Sequence, residues 1–583
     1  MKDRVRQAPR DNMSQCFLDS GKTETETEPK PARRKKNPQR RARIMPLGGA
    51  GEIGMNMTLI EYGNDIIAVD CGQMIPDDEL LGIDMVIPDI NYVIERANKF
   101  RAILITHAHE DHTGALPYLL EQIKAPVYAT RLTCEMVRER MKEFDLEREI
   151  ILHEILPREI IRIGDMRIEP IQVTHSIPGS LAFAIRLPFG NIIFSGDYKI
   201  DPTPPDGQLF DYQTFARYGE EGVIALFADS TNIGREGTAG SERAVIEPLD
   251  RIFQQASQTI IFSCFASSLH RIQIAFDLAV RHGKKVFVTG LNMHRNLRIA
   301  SETGALRVPH GILREFRELK RIPPGERMIL TTGSQGETMS ALNRMALGEH
   351  ADVKINIGDT VVLSSRIIPG NDKAIYRMIN HLFRRGAQVI YESIDKVHVS
   401  GHAHREEIRT LISLCKPRYL VPLHGEFRHL VEHKALGVEM GIDPEKIFIL
   451  QNGDVLEFDA DGAARAGRVE VGRILVDGHD VGIDEIVLRD RRHLSEDGMV
   501  IIMLVIDQQN AQLISGPDIV SRGFLYMDEN EEFFNDCKRI VLRAFNDCEK
   551  ESKEEWAVVK DAVRRALKKY IKAETGRFPV ILP

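Results

Sequence analysis

The chain has 583 residues, 43% of them hydrophobic and 28% charged; this is enough apolar material for several sizeable cores and excludes a disordered or fibrous protein. A net charge of −8 argues against indiscriminate affinity for nucleic acid, because such binding is driven by Lys and Arg displacing counterions, so contact with any polyanion would need a local basic groove. The seven cysteines are scattered without a CxxC pair, and no apolar run reaches about 18 residues, so neither a disulfide framework, a thiolate zinc site, a membrane span nor export is expected, and a reducing cytoplasm is the expected compartment.

Residues 1–43 stand apart. Thr and Glu alternate from Thr23 to Glu28, and basic clusters follow from Lys30 to Lys36 and from Arg40 to Arg43. With almost no apolar content, this stretch is expected to be a disordered basic arm, either one that holds polyanions electrostatically or no more than a solvated tail or an overlong start site. From Ile44 to about Ala228, strand-like runs alternate with turns and helices, as expected of a sheet whose loops gather functional groups at one edge. The run 66–69 precedes Asp70. The run 102–106 precedes His107-Ala-His109-Glu-Asp111-His112, which packs four metal-ligating side chains into six residues. In extended backbone, residues two apart point the same way, so His107 and His109 can share one cation while Asp111 and His112 reach a second. His175 and Asp197 again follow strand-like runs. Residues 233–394 read as a separate α/β insert, with strand-like segments at 259–262, 285–289 and 360–363. The first unit resumes over 395–465, where His402 and His424 follow strand-like segments. Residues 466–479 read as a linker, and 480–583 as a smaller domain with a strand at 500–506 and helical patterns after Glu531 and Lys553.

The pattern Asp70, His107-x-His109-x-Asp111-His112, His175, Asp197 resembles the metallo-β-lactamase superfamily. Asp229-Ser-Thr-Asn232, Ser400-Gly-His402-Ala and Pro422-Leu-His424-Gly-Glu426 resemble the three extra motifs of its nucleic-acid-processing branch, the β-CASP group. Together with Pro46-Leu-Gly-Gly-Ala-Gly-Glu-Ile-Gly54, Gly333-Ser-Gln-Gly-Glu337, Ile368-Pro-Gly-Asn371 and Pro517-Asp-Ile-Val-Ser-Arg-Gly-Phe524, the order of blocks is similar to the ribonuclease J family from about residue 44 onward. The resemblance implies an αββα sandwich (44–232 and 395–465) with an inserted β-CASP α/β domain (233–394) and a small C-terminal α/β domain (480–583) supporting dimerisation.

It also implies roles. His107, His109 and His175 would bind one divalent ion, and Asp111, His112 and His424 a second, with Asp197 bridging; zinc is the expected metal and manganese the alternative. A water acidified by the two ions would supply hydroxide for attack on phosphorus. Asp70 would accept the free N–H of a ligand histidine. His402, held by Asp229, would stabilise developing charge or protonate the leaving oxygen. Gly333, Ser334, Gln335 and Gly336, with Ser364, Ser365 and Arg366, are expected at an RNA phosphate, including a 5′-monophosphate. Phe265 is expected to stack on a base, with His270 and Arg271 beside it on the strand. Gly179 stands where relatives often carry an acidic residue, and Phe265-Ala-Ser-Ser268 has Ser where Asn is frequent; this leaves the balance between exonuclease and endonuclease open. The expected protein is a metal-dependent ribonuclease with 5′–3′ exonuclease and endonuclease activity in RNA processing and decay. It would take single-stranded RNA with a 5′-monophosphate, as a homodimer or homotetramer, with RNA-degradation or ribosome partners. A small-molecule hydrolase, a silent RNA-binding subunit and a DNA-processing enzyme are the alternatives.

Overall fold

The computed structural model describes residues 41–583 apart from 78, 369, 479, 508–511 and 549–555. The expected arm lies outside the described residues up to 40. Its boundary at 43 is corrected: Ala42 and Arg43 already belong to strand Ala42–Gly48, paired with Met57–Tyr62 and Asp454–Phe458. The buried Ala42 and an ion pair from Arg43 to Glu61 at 2.7 Å account for that.

Two sheets make the larger unit. One has eight strands in the order Ala463–Arg468, Asp454–Phe458, Ala42–Gly48, Met57–Tyr62, Asp65–Val69, Phe100–Leu104, Pro126–Ala129 and Ile151–Glu154. The other has six, from Tyr419–Leu423 through Val223–Asp229, Gly190–Phe194, Leu181–Leu187 and Met166–Gln172 to Ile161–Ile163. Alternation sends neighbouring side chains to opposite faces, and here both faces are apolar. Ile60 and Ile67 meet Phe183, Phe194 and Phe227 between the sheets, whereas Leu59 and Ala68 face outward onto Leu116, Leu119, Val137 and Met141 of helices Leu116–Gln122 and Arg131–Lys142. On the far side, Phe215 and Tyr218 of Tyr212–Glu221 and Ile408 and Leu411 of Arg405–Cys415 cover the six-stranded sheet. The result is the expected αββα order of layers.

The insert has its own parallel sheet, ordered Lys285–Val288, Arg327–Thr331, Ile260–Ser263, Thr360–Leu363 and Gln388–Ile390. Its strands are buried on both sides, Phe262 and Val362 in one core and Ile261 and Val361 in another, so each reads as a continuous apolar run. The expected linker at 466–479 is corrected too, because Arg473–Asp477 pairs antiparallel with Met85–Pro88 of the metal domain. Beyond it, Gln512–Arg522, Met499–Asp507 and Val580–Leu582 form a sheet. Helices Glu531–Asn546 and Trp556–Thr575 close over it through Phe534, Val541, Val563 and Leu567.

Phe227 is 2% exposed and stacks on Phe194 with ring centroids 4.5 Å apart. Phe227→Ala is expected to cost about 3–5 kcal/mol, read as a lower urea midpoint for the unit it belongs to.

Candidate metal centre

Strand ends from both sheets supply the centre. Asp70 follows Asp65–Val69, His107 follows Phe100–Leu104, Asp197 follows Gly190–Phe194, Asp229 ends Val223–Asp229, and His424 follows Tyr419–Leu423. Within each sheet these strands run parallel, so their carboxyl ends collect at one edge. The expected extended loop holds as far as His109. Glu110–Thr113 is then a helical turn with His109 at its N-cap, and the turn carries Asp111 and His112 to a second cluster.

The seven expected ligands come together. His109 Nδ1 lies 3.0 Å from His107 Nε2 and 3.2 Å from His175 Nε2. Asp197 Oδ2 is 3.7 and 3.9 Å from His107 and His175 Nε2, and 3.3 Å from His112 Nε2. Asp111 Oδ2 is 3.5 Å from His112 Nε2 and 3.4 Å from His424 Nε2. Asp197 therefore faces two groups, one of three histidines and one of Asp111, His112 and His424. Ligands about 2.0–2.1 Å from a tetrahedral cation sit about 3.4 Å from each other, close to these spacings. Asp197 Oδ2 and His424 Nε2 are buried without a hydrogen-bond partner, a costly arrangement that a cation relieves. The residues fit a pair of divalent ions.

Several of these imidazoles are held through their other nitrogen. Asp70, at φ 62°, takes His112 Nδ1 at 2.8 Å and also accepts from Thr106 N at 2.8 Å. His175 Nδ1 donates to Gly401 O at 2.7 Å, and a Cβ on residue 401 would stand 2.7 Å from His175 Cε1, so the Ser-Gly-His-Ala motif needs its glycine. His424, at φ 49°, places Nδ1 2.7 Å from Asp197 Oδ1. His402 Nδ1 is 2.8 Å from Asp229 Oδ2 and 3.7 Å from Asp197 Oδ2.

Charge divides the histidines. Burial, then neighbouring imidazoles, holds His107 and His175 well below the usual range; burial outweighs Asp111 and Asp197 to bring His109 to about 4. Burial also lowers His112 and His424, but the carboxylates win: Asp197, Asp111 and Asp70 raise His112 well above its ordinary value, and Asp197 and Asp111 push His424 up to about 10. Asp111 and Asp197 lie well below the carboxylate range, since these histidines overcome the burial that would raise them. His402 is raised as well, Asp229 and Asp197 exceeding the effect of burial.

The centre opens into a cleft of about 1790 Å³. Gly333, Ser334, Phe265 and Arg366 line it. The expected phosphate role is corrected for the hydroxyl of Ser364, which is buried, accepts from Arg271 Nη1 at 2.6 Å and donates to Val397 O at 2.7 Å. Ser365 and Gln335 are buried too; Gln335 donates to Arg366 O at 2.8 Å and accepts from Ile368 N at 3.0 Å, so it shapes the arginine's loop. Gly336 packs against the backbone of Ala374 and is not part of the cleft wall. His270 and Arg271 are turned inward, to Asp206 at 3.1 Å and Glu242 at 2.7 Å, and neither is part of the cleft wall. The expected basic groove is narrower than its arginine content suggests. Arg428 and Arg473 are paired with Glu426 and Glu52, whereas Arg235, Arg366 and Arg492 face the cleft with no carboxylate within 4 Å among the described residues. Sequence reasoning missed Arg235, Arg492 and the side chain of Asn232. The arginines had no motif around them; Asn232 stood inside a quoted motif but served only to mark it.

The carboxylates beside His112 and His424 favour their protonated forms in the metal-free protein, and cations would have to displace those protons. Uptake of zinc at pH 7 is expected to release about two protons per subunit, read by calorimetry in buffers of different ionisation enthalpy. Stability in the metal-free state is expected to peak near pH 6.5. The raised His424 contributes below 6.5 and loses its contribution as pH climbs through about 10, while the lowered His109 contributes above 6.5 and loses its contribution as pH falls through about 4. Thermal melts of the chelated protein across this span check both limbs.

Family models match successive parts of the chain: the metallo-beta-lactamase superfamily over residues 50–230, the ribonuclease J beta-CASP domain over 257–382, the Zn-dependent metallo-hydrolase RNA specificity domain over 386–449, and the ribonuclease J C-terminal domain over 486–583. Ribonuclease J2 of Bacillus subtilis is 39% identical over 551 residues, 94% of this chain and 99% of that protein. Ribonuclease J 1 of Streptococcus pyogenes is 40% identical over 541 residues, 93% of this chain and 96% of that one. Ribonuclease J of Thermus thermophilus is 39% identical over 554 residues, with 94% and 95% covered. With a metallo-β-lactamase sandwich, an inserted β-CASP domain and the C-terminal domain all in place, the chain belongs to the ribonuclease J family.

Proposed function

We propose that this metal-dependent ribonuclease works 5′ to 3′ from a 5′-monophosphate end of single-stranded RNA, with internal cleavage as its second activity. Zinc is the metal of the reading and manganese the alternative. His107, His109 and His175 would hold one ion and Asp111, His112 and His424 the other, with Asp197 shared. Two divalent ions there supply positive charge for the phosphodiester and acidify water at neutral pH.

The observation that carries the reading is His402 beside the double cluster. Its Nδ1 is held by Asp229 at 2.8 Å, and its ring is 22% exposed at the edge of a cleft that also contains Arg366. A histidine kept protonated by carboxylates, with one face open, can give its proton to the leaving oxygen. Asp70 acts at one remove, holding His112. Arg366, Ser334 and the Gly333 backbone would meet phosphate, and Phe265, partly exposed in the same cleft, would stack on a base. Met503, Val505 and Ile514 of the C-terminal sheet are exposed and suit an apolar contact with a second copy, so we assign a homodimer or homotetramer. No helix among the described residues is long and apolar enough to cross a membrane, and we place the enzyme in the cytoplasm with RNA-degradation or ribosome partners.

Zinc-loaded protein is expected to release labelled mononucleotide early from 5′-labelled monophosphate RNA, slowly from triphosphate RNA and not from matched single-stranded DNA. His402→Ala is expected to lower kcat by about 100-fold to 10,000-fold. Internal fragments without early mononucleotide would make endonuclease the main activity, and equal cleavage of DNA would overturn the choice of substrate.

A further inference from the structure

Asn232 is 2% exposed and uses both ends of its amide. Its Oδ1 accepts from Arg366 Nη1 at 2.8 Å, and its Nδ2 donates to Ser400 Oγ at 2.7 Å and to His402 O at 3.3 Å. A guanidinium only donates, so the contact with Arg366 fixes the orientation of the amide and leaves Nδ2 for the loop of His402. Ser400 Oγ also accepts from His402 N at 3.3 Å, which closes a small ring of hydrogen bonds under the imidazole. Asn232 sits three residues after Asp229, the partner of the imidazole itself. One loop of the metal domain thus holds the His402 ring through Asp229 and the His402 backbone through Asn232. Arg366 arrives from the insert, just after strand Thr360–Leu363. It is half-buried, has no carboxylate within 4 Å among the described residues, and lines the cleft as well as binding Asn232.

We infer that Asn232 is a positioning residue that couples a substrate phosphate on Arg366 to the seating of His402. A phosphate engaging the free edge of the guanidinium fixes the arginine, the arginine fixes the amide, and the amide fixes Ser400 and the His402 carbonyl. The insert also holds the start of the same loop, where Arg271 donates to Val397 O at 2.6 Å. His175 Nδ1 holds Gly401 O of the same loop at 2.7 Å, and Asn232 is its link to Arg366. The alternative is a buried amide that only satisfies its neighbours. It would lower stability when removed without separating binding from turnover. The inference rests on the ribonuclease reading and on Arg366 as a phosphate contact.

Kinetics of Asn232→Ala, Arg366→Ala and the double variant on 5′-monophosphate RNA, with a crystal structure of zinc-loaded Asn232→Ala, test it. Asn232→Ala is expected to lower kcat about 100-fold, the scale of a misplaced catalytic group, with KM within about threefold of wild type. Arg366→Ala is expected to raise KM and lower kcat together. In the double variant the kcat losses are expected not to multiply, because both changes cut one link. The crystal structure is expected to show residues 398–402 displaced. Wild-type kcat in Asn232→Ala, losses that multiply, or an unmoved loop would each overturn the coupling. Should Asn232→Ala not fold, Ser400→Ala cuts the same link from its other end and is held to the same pattern. If the wild type cleaves no RNA, the ribonuclease reading falls while the crystal comparison still decides the tether; an unchanged KM in Arg366→Ala removes the phosphate role and overturns the coupling with it.

Discussion

The centre is organised around one buried carboxylate. Asp197 has a side chain 2% exposed, yet nitrogens of His107, His112, His175, His402 and His424 all lie within 3.9 Å of it. A lone carboxylate in that position would be prohibitively expensive to desolvate, so its surroundings must be cations or donors on every side. No single strand can provide them. The carboxyl ends of the eight-stranded and six-stranded sheets have to meet at one edge. Gly196 shows how tightly: it takes φ 55°, and a Cβ there would stand 2.7 Å from Leu181 O and 3.0 Å from the Thr106 side chain. The sandwich core of Ile67, Leu104, Phe183 and Phe194 sets the spacing that makes the meeting possible.

The same rule joins the insert to the metal domain. Lys199, two residues after Asp197 and fully buried, donates to Glu242 Oε1 at 3.0 Å, and Arg271 of the insert donates to Glu242 Oε2 at 2.7 Å. Burial would raise Glu242, but the two cations outweigh it and keep the carboxyl well below the usual range. Loss of Glu242 would leave the buried Arg271 without a carboxylate and Lys199 with only Asp201, at 3.8 Å, so breaking the seam is costly. Arg271 also fixes Ser364 and Val397, which start the loops carrying Arg366 and His402.

The buried His/Asp cluster was legible because ion chemistry forces several ligand types into a short stretch after a strand, and His107 to His112 has that pattern. The layers were legible because both faces of strands such as Met57–Tyr62 are apolar. Side-chain direction was not. Ser364 and Arg271 stand beside motif residues in sequence, but their polar atoms turn into the seam, where their partners are distant in the chain. The strand at Arg473–Asp477 looked like linker for a similar reason, since its pairing partner Met85–Pro88 lies in the first part of the metal domain. Asn232 was visible as a letter in a motif, but its role depends on residues 366 and 400 arriving on opposite sides of one amide.

The charge distribution bears on how an acidic protein can act on a polyanion. The chain carries −8 overall, and carboxylates occupy much of the arginine charge in the cleft, Glu52 on Arg473 and Glu426 on Arg428 among them. Paired arginines release few counterions, so they add little to nonspecific affinity. Unpaired charge is kept for a few guanidiniums, one of them hydrogen-bonded to the residue that holds the His402 loop. On the proposed reading, attraction would be concentrated where a phosphate also bears on the chemistry, and an RNA that did not fill that position would gain less from the cleft. Selectivity in such a cleft comes from withholding charge elsewhere as much as from placing it at the centre.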